Sequence, residues 1–519
     1  MPLAAAPAAP RAAFVLALLL GAGPLPAQSA GTSTAPPPAT EAFDAYVARA
    51  VRDWRVPGLA IAVVRGDSVV LAKGYGVRTL GRPDPVDTHT RFAIGSTTKA
   101  MTAVALGMLV DEGKVRWDDP VIRHLPGFRL ADPYVTREIT VRDLLTHRAG
   151  LGNADLLWAA ANYDHDEIVR RVGTLAPAYS LRSGFIYQNV MYAVAGDVVR
   201  AASGMPWDQF LRTRIFAPLG MTETEATLAG LAGKSNVATP HMELRDTVRV
   251  IENRTVDPVM AAGSVWSSVA DMSRWVRFVL DSGRVGGRRL LTEATFRELL
   301  TPQTVAPAST YPTMTVVRPH FFTYGLGWFL HDYRGRAVAM HTGSIDGMTA
   351  IIGLLPDERV GVFVLANLDH AELRHALMFR AFDLYGAAAA GDPPARDWSR
   401  ELRALYGGLR DTARAEEARQ AARRVRGTRP TLPLAVYAGR YAHSTYGDVV
   451  VSVRPGALHL DYAGASAASL HHWHHDTFQA RWTDVRNDPA LVTFTPDGTG
   501  GIAGLRAFGI TFVRAPESP

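Results

Sequence analysis

The chain has 519 residues, 47% of them apolar, with a formal net charge of +6 and no cysteine. That length exceeds one ordinary domain, and the apolar content supplies a large core. The lack of Cys excludes disulfides, a thiol nucleophile and a lipid-modified N-terminal Cys. The Arg-rich balance is dispersed, without the basic run that marks a nucleic-acid footprint.

In the first segment Arg11 precedes an apolar stretch over 12–20, and then Gly-Ala-Gly-Pro-Leu-Pro-Ala-Gln-Ser-Ala. This is the pattern of a signal peptide over 1–30, cleaved between Ala27 and Ala30 and too short for a membrane span. The expected location is therefore periplasmic or secreted, with no stable span after cleavage. Residues 31–40, rich in Pro, Ala, Ser and Thr, read as a linker. Helical spacing over 41–54 (Phe43, Tyr46, Val47, Val51) precedes two strand-like runs, 58–64 and 68–76, joined by Arg65-Gly66-Asp67 as a hairpin. From 98 to about 335 the pattern is mainly helical with long loops, including helices near 139–147, 190–202 and 268–280. Strand signals return over 337–340, 349–355 and 361–366, followed by a helix over 373–385.

Strands at both ends of this region bracket the helical part. The expected fold is therefore α/β in the α+β sense: an antiparallel sheet flanked by helices, with a large helical insertion. Residues 387–431 read as a helical connector. From 432 to the end, short apolar strands alternate with Gly, Asp and Pro turns, predicting a small antiparallel β-barrel.

The chemistry concentrates at Phe92-Ala93-Ile94-Gly95-Ser96-Thr97-Thr98-Lys99. The following run, 100–110, is apolar on nearly every side and reads as a buried helix ended by Asp111-Glu112-Gly113. Ser96 and Lys99, three apart, share a helix face, with Ser96 at the positive N-terminal end. A Ser hydroxyl needs a base beside it. Lys99 could serve if burial brings it from ~10.4 to ~7, a change of about 4–5 kcal/mol at ~1.36 kcal/mol per unit. Only Lys73, Lys99, Lys114 and Lys234 occur in the chain, and Lys99 alone has Ser three residues before it.

Two further clusters carry chemical potential. In Gly184-Phe185-Ile186-Tyr187-Gln188-Asn189, Tyr187 and Asn189 point the same way if the segment is extended. A phenol can relay a proton, and an amide can orient a Lys. In Met340-His341-Thr342-Gly343-Ser344, a strand ends with Gly347 close behind, a place where a backbone N–H can face an oxyanion. His471, His472, His474 and His475 around Trp473 split over two faces of an extended segment, so no mononuclear metal site is expected.

Taken in order, these three clusters resemble the Ser-x-x-Lys, Tyr-x-Asn and Lys/His-x-Gly motifs of the class C β-lactamase, DD-peptidase and related esterase family. The stretches Leu144-Leu145-Thr146-His147-Arg148-Ala149-Gly150-Leu151, Asp118-Asp119-Pro120 and Tyr324-Gly325-Leu326-Gly327-Trp328 also fit its pattern. The C-terminal part is similar to the lipocalin-like barrel of some relatives, on Tyr437-Ala438-Gly439-Arg440-Tyr441 and His472-Trp473-His474-His475-Asp476-Thr477-Phe478. The implied organisation is a serine hydrolase domain over 41–386, the connector, and a lipocalin-like barrel over 432–519.

The resemblance implies that Ser96 attacks a carbonyl to form an acyl-enzyme, Lys99 takes its proton and Tyr187 relays it. Asn189 would hold Lys99 and the substrate amide. The N–H groups of Ser96 and Ser344 would form the oxyanion hole beside Gly343, with His341 lining the pocket. No metal or cofactor is implied, and the partner is a small-molecule or peptide substrate, with the oligomeric state open. One departure stands out: His341 occupies the place of the Lys usual in dedicated β-lactamases, so a fixed cation for a substrate carboxylate is missing. This favours a D-residue-containing peptide or a small ester over a β-lactamase or DD-carboxypeptidase reaction. A penicillin- or peptidoglycan-binding protein with little turnover is the alternative of another class.

Overall fold

The computed structural model describes residues 37–387 and 396–516. The expected signal peptide, most of the expected linker and the first part of the connector lie outside the described residues. Residues 37–40 of that linker instead open the helix Pro37–Asp53.

An eight-stranded antiparallel sheet forms the centre, in the order Ser68–Gly76, Gly58–Arg65, Val360–Ala366, Met348–Leu355, Arg336–Ile345, Phe329–Tyr333, Phe322–Tyr324, Thr304–Val305. Its central strands are buried on both faces, so they read as continuous apolar runs rather than alternating ones. Period-2 alternation still sorts the side chains. Ala60, Ala62, Phe363 and Leu365 enter the core under the helical region, while Leu59, Ile61, Val362 and Val364 enter a second core under the terminal helices. The first hairpin thus joins the late strands, as the sequence pattern predicts.

Three features position the site. The helix Thr98–Asp111 is buried from Thr98 to Leu109 and ends at Gly113, whose φ of +70° suits a residue without Cβ. It crosses the helix Asn189–Ser203, which carries the second motif at its start. The strand Arg336–Ile345 is longer than its apolar run suggested and carries Thr342, Gly343 and Ser344 inside the sheet.

Beyond the sheet, the helix Trp398–Ala422 places Trp398 fully inside the second core. Its indole stacks on Phe379, with ring centroids 4.9 Å apart, and donates to Asp383 at 2.9 Å. The last eight strands, from Gly439–His443 to Ile510–Arg514, close into an up-and-down barrel. Its interior is filled by Tyr441, Val449, Leu460, Tyr462, Phe478 and Phe494 among others, so the barrel is a packed core rather than a ligand cup. Among the described residues no helix is long and apolar enough to cross a membrane.

Candidate active site

Gly95–Thr97 forms one tight turn ahead of the Thr98–Asp111 helix, and Ser96 sits in it with its side chain partly accessible. Lys99, one turn on, is fully buried. Its Nζ lies 2.9 Å from Ser96 Oγ, 2.7 Å from Asn189 Oδ1 and 2.9 Å from the carbonyl of Ala262. The Tyr187 and Tyr192 rings flank it at 4.7 and 5.2 Å. Burial holds the Lys99 amine well below lysine's ordinary range, with the Asp155 carboxylate acting the other way.

This set of neighbours fits a neutral amine. Two of the three are amide oxygens that can only accept, and they take the two N–H bonds of an uncharged lysine. The third is the Ser96 hydroxyl, which can donate into the remaining lone pair. That is the arrangement of a nucleophile and its base.

Tyr187 and Asn189 are not both on an extended segment. Gln188 is the extended residue, and Asn189 is the first of its helix. Both nevertheless face Lys99. Burial pushes the Tyr187 phenol well up, and the nearby Ser96 hydroxyl only partly offsets this, so Tyr187 is a neutral phenol and not a phenolate. The segment is held by His147, a residue the sequence marked only as part of a framework stretch. The His147 carbonyl accepts from Ile186 N–H and its Nδ1 accepts from Gln188 N–H, each at 3.0 Å, while its ring packs on Tyr187 with centroids 4.2 Å apart.

The third motif lies against the Gly95–Thr97 turn, backbone to backbone. A Cβ on Gly95 would come 2.6 Å from Ser344 N, and one on Gly343 would come 1.9 Å from the Ile94 carbonyl and 3.1 Å from Ser96 N. Glycine at both positions lets the strand approach the turn this closely. Ser344 itself is exposed. Behind it, buried Arg374 donates to Gly343 O at 2.6 Å and to Ser344 Oγ at 2.9 Å, and pairs with Glu372 at 2.9 Å. Burial alone would raise the Glu372 carboxyl, but Arg374 and His375 outweigh it and hold the group far below the usual range.

His341 is 1% exposed, and both ring nitrogens are used inside the protein. Nδ1 bonds the Thr342 carbonyl at 2.6 Å, so Nε2 accepts from the Tyr324 hydroxyl at 3.0 Å. Both nitrogens thus have partners within the protein. Burial, with Lys99 nearby, pushes it down to about 3, so it carries no charge at neutral pH. Tyr311, not marked by the sequence, bonds Thr342 Oγ1 at 2.7 Å in front of the same strand. The C-terminal histidines sit elsewhere, on and after the strand Ser466–His474. There His472 bonds the carbonyl of His475, and His474 accepts from the Val425 N–H.

A family model described as Beta-lactamase matches residues 43–385, two thirds of the chain. The chain belongs to the Beta-lactamase family. A second model, a domain of unknown function (DUF3471), matches residues 423–514 and covers the barrel. Unguisins hydrolase ungD of Aspergillus violaceofuscus is 29% identical over 89% of this chain and 87% of its own length. Penicillin-binding protein 4 of Amycolatopsis lactamdurans is 32% identical over 61% of this chain and 82% of its own length. Among solved structures, the octameric penicillin-binding protein homologue from Pyrococcus abyssi is 20% identical with a TM-score of 0.59, covering 91% of this chain and 99% of its own. SurE is 22% identical with a TM-score of 0.54, covering 92% and 99%. These two share the fold. Membership in this family makes the chain a serine hydrolase.

Proposed function

We propose that this chain is an exported hydrolase that cleaves an amide or ester bond through an acyl-enzyme on Ser96, with a D-residue-containing peptide or a small ester as substrate. The observation that carries the reading is the buried Lys99, whose two carbonyl partners leave its lone pair to the Ser96 hydroxyl. Tyr187 relays the proton as a neutral phenol, and the Ser96 and Ser344 amides hold the oxyanion. The buried, uncharged His341 supports a substrate other than one gripped by a carboxylate-binding cation. The similarity to unguisins hydrolase, which covers 89% of this chain, supports hydrolysis as the outcome. The barrel touches the loop beside the site through Tyr446, whose hydroxyl donates to Asn153 O at 3.2 Å, which supports a part in shaping substrate access.

The test is intact mass after a fluorophosphonate, on wild type and Ser96→Ala, with a p-nitrophenyl ester and a D-Ala p-nitroanilide turned over in parallel. Labelling confined to wild type, with turnover of either substrate, is the expected result. A folded wild type without label or turnover refutes it. The similarity to a penicillin-binding protein favours one second reading, a β-lactam-acylated protein with little turnover. A stoichiometric penicillin adduct without ester or amide turnover would establish that instead. N-terminal sequencing of the protein recovered outside the cytoplasm, starting after Ala27 to Ala30, tests export.

A further inference from the structure

The Asn189 amide could present either its oxygen or its nitrogen to Lys99, and only one choice suits the base. With Oδ1 toward Nζ, the amide takes a lysine N–H and the lone pair is left for Ser96. With Nδ2 there, the amide would donate into that lone pair and compete with the Ser96 hydroxyl. Asp155 decides between them. Its Oδ1 accepts from Asn189 Nδ2 at 3.0 Å, and a carboxylate can only accept, so the nitrogen turns to Asp155 and the oxygen to Lys99. The carboxylate is itself fixed: Trp158 Nε1 donates to Oδ1 at 2.8 Å and Asn153 Nδ2 to Oδ2 at 3.2 Å.

The loop that carries Asp155 is held at both ends. Gln188, between the two motif residues, donates through Nε2 to Leu151 O at 3.0 Å and also to Gly152 O. The barrel takes Asn153 O through Tyr446 and Ala160 O through Ser466 Oγ at 2.8 Å, and Leu156 packs on the barrel core.

We propose that Asp155 is a positioning residue for the Lys99 base, turning the Asn189 amide so that its oxygen faces Lys99. The inference rests on the Lys99 reading above. The other titratable groups around Lys99 are Tyr187, Tyr192, His147 and His341; burial pushes both tyrosines up and both histidines down, so all four are uncharged at neutral pH. Removing the Asp155 charge therefore lets the Lys99 amine lose its proton at lower pH, because an anion nearby favours the ammonium.

The experiment measures the rate of fluorophosphonate labelling of Ser96 against pH, with ester kcat and KM, for wild type, Asp155→Asn and Asp155→Ala. Asp155→Ala is expected to label roughly tenfold slower or worse at neutral pH, with the loss in kcat and KM within about threefold. Asp155→Asn, which keeps an acceptor for Asn189, should recover most of that rate and move the acid limb to lower pH. If Asp155→Ala does not fold, the Asn variant decides alone, since an unmoved acid limb overturns the proposal. A loss confined to KM also overturns it, because it would make Asp155 a substrate contact. A labelled wild type with indifferent Asp155 variants removes this proposal only; an unlabelled wild type removes the Lys99 reading and this proposal together.

Discussion

Replacing Gly343 by Ala puts a methyl carbon 1.9 Å from the Ile94 carbonyl oxygen and 3.1 Å from Ser96 N. Carbon–oxygen contacts settle at about 3.3 Å or more, so strand and turn must part by about 1.4 Å. Neither side yields easily. Ile94 is tied by its N–H to Val265 O at 2.9 Å, and Gly343 O is held by Arg374 at 2.6 Å. The separation therefore falls on the space between the Ser96 and Ser344 amides. Loss of one oxyanion donor costs about a hundred- to thousandfold in rate, or about 2.7–4 kcal/mol. Overpacking of this kind costs about 1–3 kcal/mol of stability, less than is needed to unfold most domains. The assay is kcat on a p-nitrophenyl ester, normalised to active sites by fluorophosphonate titration, with a melting curve on the same sample. A folded Gly343→Ala whose kcat stays within about threefold of wild type would refute the close-approach argument.

Lys99→Met should abolish labelling of Ser96 yet raise the melting temperature near pH 7. The wild type holds a neutral amine in the fold that is protonated when unfolded, so its stability from this group rises with pH. The gain of the Met variant therefore shrinks as pH approaches the unfolded lysine value of ~10.4; a gain that grows with pH contradicts the reading. Glu372→Gln leaves Arg374 charged and buried without its partner, at a cost of about 3–5 kcal/mol, and loosens Gly343 and Ser344. Urea unfolding checks this, and an unchanged midpoint would show that the pair contributes nothing. Because the Glu372 carboxyl is held so low, its contribution is full above the ordinary carboxylate range and is lost progressively as pH falls below it.

The helix Thr98–Asp111 was legible because it is apolar around its circumference, and such a pattern has few homes outside a core. The central sheet strands were legible as apolar runs, except where Thr342, Gly343 and Ser344 extend one of them with polar residues that read as a turn; the short strands Thr304–Val305, Phe322–Tyr324 and Phe329–Tyr333 were missed, because they fall in the stretch that read as helices and loops. Ser96, Lys99, Tyr187 and Asn189 lie within short motifs and converge on one another in space. Asp155 was invisible because it belongs to a loop whose shape depends on Gln188 and on Tyr446, some 290 residues away. The orientation of His341 was illegible for a related reason: a histidine on a strand carries no mark of which way its nitrogens point, and Tyr324 meets it from another strand.

The helix Trp398–Ala422 belongs to two owners. Its first turn completes the hydrolase: Trp398 fills the core beside Phe379, and Ser399 meets both Trp54 and Tyr46 at 3.0 and 2.7 Å. Just past its far end, Arg424 reaches the barrel backbone at Trp473 and His472, at 2.7 and 3.1 Å. The hydrolase core therefore outlasts the family match, which stops at residue 385. A catalytic half severed at that border would lose an indole from its interior, a void of the kind that costs about 3–5 kcal/mol. A cut placed beyond Leu402 would instead leave Trp398, Ser399 and Leu402 with the core they complete.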